Sequence, residues 1–180
     1  KNMCKQNKIP TANFGVFDNI DEAKEFIKKN KIPIVVKADG LASGKGVAVC
    51  KTKDEAIKFS EEIFKGKFKS SSKVVLEEFL NGQEMSYFVI VDDKTHKFFG
   101  SAQDHKRVGE NDIGPNTGGM GAYSPSKIIN EELKSKIEKK IIVPTLKAMK
   151  KNGNPFKGFL YAGLMINNKG EPFLIEYNIR

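Results

Sequence analysis

Three pairs of apolar segments, each joined by a short turn, limit the folds open to this chain of 180 residues. The paired segments are 33–38 with 47–50, 85–91 with 97–103, and 157–167 with 171–179. Short connections favour antiparallel pairing, because parallel strands need long crossovers. We therefore predict an α+β fold with mostly antiparallel sheets. We expect one unit of residues 1–80 and a second of residues 81–180.

Helical patterns separate the strand pairs. Apolar residues recur with helical spacing in segment 18–30, and Thr52 with Glu55 three residues later forms a capping-box pattern. Asn130 is typical of a residue that caps a long helix, and Pro144 predicts a kink in that helix.

The charge balance raises the question of nucleic acid binding. The formal net charge is +9, yet only two of the 31 basic residues are arginines. Most lysines fall on polar helical faces, and no aromatic–basic run accompanies them, so we predict no nucleic acid partner. No apolar run is long enough to span a bilayer. Two cysteines outside any C-x-x-C pair favour a reducing, cytoplasmic setting.

A glycine-rich turn follows the strand that ends with Lys37. Backbone N–H groups in such a turn can converge on phosphate oxygens, because glycine tolerates the required backbone angles. The turn is not a P-loop, since three residues instead of four separate Gly40 from Gly44, and Gly46 stands where Ser or Thr would bind magnesium. A flexible hairpin with incidental lysines would carry the same residues, which include Asp39, Gly40, Gly44, Lys45 and Gly46.

Two further stretches combine charged residues with a predicted cleft or loop. Segment 77–84 ends a strand at the boundary between the two expected units and contains Glu77, Glu78, Phe79, Leu80 and Glu84. Its backbone can pair with a flat base and its last carboxylate with ribose hydroxyls, although paired glutamates also mark solvated strand edges. Segment 104–125 has no regular period and contains five glycines, which is typical of a functional loop or a surface loop.

The end of the chain alternates polar and apolar residues. Glu176, Asn178 and Arg180 lie two residues apart, so a strand would place them on one face. Carboxylate and amide oxygens suit Mg²⁺, and a guanidinium beside them suits a phosphoryl group. A strand with one solvated face would explain the same pattern.

Read together, these stretches resemble the glycinamide ribonucleotide synthetase family of the ATP-grasp superfamily. The resemblance covers nearly the whole chain and rests on VVKADGLASGKG (35–46), EEFLNGQEMS (77–86), QDHKRVG (103–109), GPNTGGMGAYSP (114–125), GFLYAGLMI (158–166) and IEYNIR (175–180). It implies two subdomains that enclose ATP, the first contributing a phosphate lid and the second the metal and substrate side.

The resemblance also implies a role for each candidate site residue. ATP would be held by Lys37, Asp39, Gly40, Gly44, Lys45, Gly46, Glu77, Glu78, Phe79, Leu80 and Glu84. Glu176 and Asn178 would bind Mg²⁺ or Mn²⁺, and Arg180, Lys37 and Asp104 would act in catalysis. Asp104, Lys106 and the loop 114–125 would face glycine and 5-phosphoribosylamine.

The activity implied is an ATP-dependent ligase reaction of purine biosynthesis. Glycine would form glycyl phosphate, and phosphoribosylamine would then displace phosphate to give glycinamide ribonucleotide. Two alternatives stay open, namely another ATP-grasp carboxylate–amine ligase and a basic nucleic-acid-binding module. Because the chain starts without Met and ends on an apparent strand, we expect a piece of a longer protein that forms no amide alone.

Overall fold

The chain folds into two compact units. The computed structural model describes residues 1–40, 46–68, 71–92, 94–110, 113–117 and 119–179. One unit contains residues 12–80, and the other contains residues 1–11 together with 81–180. Residues 1–11 were expected in the first unit, and this assignment is wrong. The backbone N–H of Leu174 donates to Pro10 O at 2.8 Å, and Thr11 Oγ1 donates to Leu174 O at 2.7 Å. These hydrogen bonds hold the end of the segment beside the last strand.

Five α-helices and eleven strands are described. The helices are α1 (Asn2–Gln6), α2 (Ile20–Lys29), α3 (Lys53–Phe64), α4 (Glu131–Ile137) and α5 (Val143–Lys151). The strands are β1 (Phe14–Phe17), β2 (Ile34–Ala38), β3 (Val47–Cys50), β4 (Val74–Glu78), β5 (Gln83–Val91), β6 (His96–Asp104), β7 (Arg107–Gly109), β8 (Ile113–Asn116), β9 (Ala122–Tyr123), β10 (Gly158–Ile166) and β11 (Pro172–Ile179). Among the described helices, none has the length and apolar character needed to cross a membrane.

The unit of residues 12–80 is a four-stranded sheet with two helices on one face. The strand order is β1-β4-β2-β3, and each described pair is antiparallel. Alternate residues of the central strands β2 and β4 point at the helices and form a core with them; this core includes Ala23, Ile27, Ile34, Val36, Ala56, Ile63, Val74 and Leu76. The side chains between these positions therefore lie on the opposite, helix-free face.

The other unit is built on a five-stranded sheet. The strand order is β11-β10-β5-β6-β9, and its described strand pairs are antiparallel. One face packs against the helices through a core that includes Met85, Tyr87, Val89, Leu160, Ala162, Leu164, Leu133, Ile137 and Ile141. As in the first unit, the intervening side chains of β5, β10 and β11 lie on the face without helices.

The long helix predicted after Asn130 is interrupted. Asn130 caps α4 as expected, since its Oδ1 accepts from Leu133 N at 2.8 Å. A π-helical turn, Glu138–Ile142, then separates α4 from α5, and Pro144 follows within the first turn of α5. A proline is tolerated there because a first-turn N–H needs no partner in the helix.

Two valines of the four-stranded sheet allow a matched test of this core. Val36 has 0% exposure under the helices, whereas Val49 on the opposite face is 41% exposed. We expect Val36→Ala to lower the free energy of unfolding by about 2–3 kcal/mol, because it leaves a cavity. Val49→Ala should change it by no more than about 0.5 kcal/mol. Urea denaturation followed by circular dichroism measures both, and equal losses would contradict the assignment of the faces.

Candidate functional site

A buried ion pair occupies the centre of the helix-free face of the four-stranded sheet. Lys37 Nζ of β2 lies 3.0 Å from Glu77 Oε2 of β4, and the two side chains are only 18% and 5% exposed. Val35 is the register partner of Glu77, so Lys37 stands one diagonal step away on the same face. The structure thus places together a lysine and a carboxylate that the family resemblance had assigned to ATP.

The rest of this face is apolar and open. Five valines surround the ion pair, and three of them, Val16, Val47 and Val49, are 40%, 43% and 41% exposed. The other two are Val35 and Val75, which the register places beside them. A flat aromatic ring with polar substituents can stack on such a face while its polar atoms meet the charged pair.

The glycine-rich turn is closed at its base by backbone hydrogen bonds. Ala38 N donates to Gly46 O at 2.8 Å, and Asp39 N donates to Lys73 O at 3.1 Å. Asp39 and Gly40 are exposed. The predicted phosphate-binding residues Gly44 and Lys45 lie outside the described residues, so their assignment stays a prediction.

The end of β4 turns its second glutamate away from Lys37. The Glu78 carboxylate accepts from Asn13 N at 2.9 Å and from Asn13 Nδ2 at 3.0 Å. Glu78 and Phe79 line a groove with Phe26 of α2 and Ile34 of β2. Leu80 is half-buried. The Glu78 side chain is therefore engaged within its own unit, and only its backbone carbonyl fits the predicted contact with a base.

A second charged cluster lies on the helix-free face of the five-stranded sheet. Lys106, which follows β6, forms an ion pair with Glu84 of β5, and their side chains are 34% and 37% exposed. Burial alone would lower the pKa of the Lys106 ammonium, but the hydrogen bond to Glu84 and the charges of Glu84, Tyr161 and Glu176 outweigh it and raise the pKa. Lys106 therefore stays positively charged, paired with Glu84 and influenced by the charge of Glu176.

The last strand presents the predicted metal ligands side by side. Asn178 Nδ2 donates to Glu176 Oε1 at 3.2 Å, so both side chains of β11 share one face. Gly163 of β10 stands opposite Glu176. A Cβ at Gly163 would lie 3.3 Å from Glu176 Cγ, so the glycine keeps space beside the carboxylate.

These two side chains fit a hard divalent cation that shares its coordination with other ligands. Both offer oxygen atoms, which Mg²⁺ prefers, and Mg²⁺ commonly takes one or two carboxylates plus phosphate oxygens and water. Within the described part of the chain, no group of three or more His, Cys, Asp or Glu residues could hold a metal. The donor set thus favours a metal that arrives together with phosphate. Arg180, predicted beside it, lies outside the described residues.

Segment 104–125, predicted as an irregular loop, contains a two-stranded antiparallel ribbon, β7 with β8. Asp104 pairs with Ala122 at its base, and Arg107 pairs with Asn116 further out. Isolated glycines without apolar alternation hide such pairing from sequence reasoning. Gly119, with φ +123°, approaches the predicted catalytic carboxylate so closely that a Cβ would lie 3.2 Å from Asp104 Oδ1.

The sequence analysis assigned no role to Ser86, Tyr161 and Gly163, which lie on the same face of the five-stranded sheet as Glu84 and Glu176. Tyr161 and Gly163 alternate with the buried Leu160, Ala162 and Leu164, and Ser86 Oγ lies 3.5 Å from Tyr161 Oη. The signal that could have identified them was present. The apolar alternation of segment 157–167 already directs the residues between the buried positions onto the face that carries Glu84 and Glu176.

The chain was compared with known proteins. The family model described as "Phosphoribosylglycinamide synthetase, ATP-grasp (A) domain" matches residues 1–180. A curated phosphoribosylamine–glycine ligase of Mesorhizobium japonicum is 50% identical over 181 residues, covering 100% of this chain and 42% of the relative. The chain thus spans about two fifths of that relative's length.

Solved structures agree in fold. The crystal structure of phosphoribosylamine–glycine ligase from Thermotoga maritima superposes with a TM-score of 0.91 at 39% identity, covering 99% of this chain and 46% of that one. The biotin carboxylase domain of a 2-oxoglutarate carboxylase from Hydrogenobacter thermophilus, solved with MgADP and bicarbonate, gives a TM-score of 0.76 at 21% identity over 100% of this chain and 38% of that one.

The ion pair between Lys37 and Glu77 makes a direct prediction about stability. We expect Lys37→Met to lower the free energy of unfolding by about 3 kcal/mol, because it removes the cation from a buried carboxylate. The double variant Lys37→Met/Glu77→Leu should recover most of this loss. Lys58→Met, at an exposed position of α3, serves as the control and should cost about 0.5 kcal/mol or less. Urea denaturation tests this; a Lys37→Met variant as stable as the control would contradict it.

Proposed function

Since the chain belongs to the phosphoribosylglycinamide synthetase ATP-grasp domain family, we propose that it is the nucleotide-binding part of an ATP-dependent carbon–nitrogen ligase. The reaction joins glycine to 5-phosphoribosylamine and gives glycinamide ribonucleotide, ADP and phosphate. Its partners are these small molecules, and its metal is Mg²⁺ or Mn²⁺. The two cysteines are buried and form no disulfide, in keeping with the cytoplasmic setting predicted from the sequence.

Family membership confirms the resemblance drawn from the six sequence runs and the α+β ATP-grasp fold class. The activity itself belongs to a longer protein in the relatives, since the chain covers 42% and 46% of two of them. The proposal therefore concerns what this chain contributes, residue by residue, to that reaction.

The helix-free face of the four-stranded sheet supports a site for the base and phosphates. Adenine stacks on the exposed valines, with its amino group toward the Glu77 carboxylate and its ring edge toward the backbone of Glu78 and Leu80. Phe79, which lines a groove with Phe26 and Ile34, belongs to the same ATP-binding segment. Lys37, with the turn formed by Asp39, Gly40, Gly44, Lys45 and Gly46, neutralises the phosphates.

The helix-free face of the five-stranded sheet supports the ribose and metal sites. Glu84 accepts hydrogen bonds from the ribose hydroxyls, which a carboxylate at the end of a strand can do with both oxygens. Glu176 and Asn178 hold the divalent cation, which when bound reduces the negative charge of the phosphates. The convergence of Glu84, Lys106 and Glu176 on one face carries the proposal.

Two displacements at bound substrates complete the reaction. A carboxylate oxygen of glycine attacks the γ-phosphorus, the bond from that phosphorus to the β,γ-bridging oxygen breaks, and ADP leaves with glycyl phosphate formed. The amine nitrogen of phosphoribosylamine then attacks the glycyl carbonyl carbon, phosphate leaves, and the nitrogen loses a proton. Lys37 and Arg180 stabilise the transferred charge, and Asp104 beside Gly119 faces the amine.

The complete natural polypeptide tests this proposal. We expect sustained turnover of ATP to ADP that requires glycine, phosphoribosylamine and a divalent cation together, with glycinamide ribonucleotide identified by mass spectrometry. Glu176→Gln should lower kcat/KM about 100-fold and raise the Mg²⁺ concentration needed for half-maximal rate, because a charged ligand is lost. Glu131→Gln, whose side chain is 92% exposed on α4, is the matched control and should behave like the wild type. ADP release that ignores glycine would contradict the proposed substrate.

A further inference from the structure

Lys106 is held from two directions. Its side chain is paired with Glu84 across the sheet face. Its carbonyl oxygen accepts from Thr117 N at 2.6 Å and from Thr117 Oγ1 at 2.8 Å, which joins it to the opposite arm of the ribbon. Met120 N donates to His105 O at 2.7 Å, so the residue before Lys106 is held by a backbone hydrogen bond as well. The ammonium therefore projects from a fixed backbone toward a fixed partner.

The position of this ammonium matters because two carboxylates share the face. Glu84 stands on β5 and Glu176 on β11, and β10 lies between these strands. Two strand spacings, combined with an offset of two residues along β10, put their backbones roughly 12 Å apart. Both carboxylates are required in ionised form by the proposed function, one for ribose hydroxyls and one for a cation. A cation paired with Glu84 reduces their mutual repulsion and restricts the rotamers of Glu84.

Resting on the proposed function, we infer that Lys106 is a positioning residue for the nucleotide: it holds the Glu84 carboxylate in place for the ribose hydroxyls. This differs from the role implied by the family resemblance, in which Lys106 faces glycine and phosphoribosylamine. A substrate carboxylate brought to Lys106 would have to displace Glu84 and would meet the charge of Glu176, so the cation is poorly placed to receive one.

The inference is tested by the discrimination between ATP and 2′,3′-dideoxyATP, measured by titration calorimetry with Mg²⁺ on the complete natural polypeptide. The analogue lacks both hydroxyls that Glu84 would bind. We expect the wild type to prefer ATP about tenfold, the size of a hydrogen bond to a charged group. In Lys106→Met the preference should fall to about twofold, and Lys106→Arg should retain most of it. The expected loss of preference is modest because the side chains of Lys106 and Glu84 are about one third exposed, so solvent weakens the interaction between them.

Two further variants separate positioning from a general effect of charge. Lys97→Met removes one positive charge from an exposed position of the same sheet and should keep the tenfold preference. Glu84→Gln should itself lose the preference, and adding Lys106→Met to it should change little more. Such a double-mutant cycle shows that Lys106 acts through Glu84. The KM for glycine should change less than twofold in Lys106→Met.

Three results would overturn the inference. One is an unchanged preference in Lys106→Met; another is a glycine KM raised tenfold or more while the preference stays intact. A wild type that binds both nucleotides equally would overturn it too, yet would leave ATP binding, and so the proposed function, in place. A wild type that binds no Mg–ATP would instead refute the proposed function itself.

Discussion

The alternation of side chains between the two faces of each sheet determines where the described site residues on the strands lie. In both units, helices cover one face with alternate apolar residues, so the intervening positions must lie on the other face. Lys37 and Glu77 occupy such positions in one sheet, and Glu84, Glu176 and Asn178 do so in the other. A shift of one residue in strand register would exchange each of these side chains with a core residue.

Each of the two sheets has a lysine–glutamate pair at its helix-free face. Lys37 with Glu77 is the more buried pair, and Lys106 with Glu84 is about one third exposed. A buried pair costs desolvation energy, so such pairs seldom add much to stability compared with apolar residues of the same size. Their presence on faces that apolar residues could occupy is explained when the charges bind a ligand. The pairs keep the two carboxylates oriented before a nucleotide with hydroxyls, phosphates and metal reaches them.

Most of the architecture could be predicted from the sequence because its signals are local. Apolar alternation gave the strand pairs, and Thr52 and Asn130 both cap helices as expected, accepting from Glu55 N and Leu133 N. The helix α1 is too short to show a period. Residues 1–11 join the second unit through Leu174, and the ribbon forms between segments with little apolar pattern; both depend on contacts between distant residues. The same is true of the pairing of Lys106 with Glu84, which only the folded ribbon brings about.

A crystal structure of the complete natural polypeptide with Mg²⁺ and a non-hydrolysable ATP analogue tests the central claim most directly. The account predicts adenine on the valine-rich face beside Glu77, ribose hydroxyls on the Glu84 carboxylate, and the metal on the oxygens of Glu176 and Asn178. A nucleotide bound elsewhere, with Glu84 still engaged only by Lys106 and with Glu176 and Asn178 bound to no metal, would contradict it.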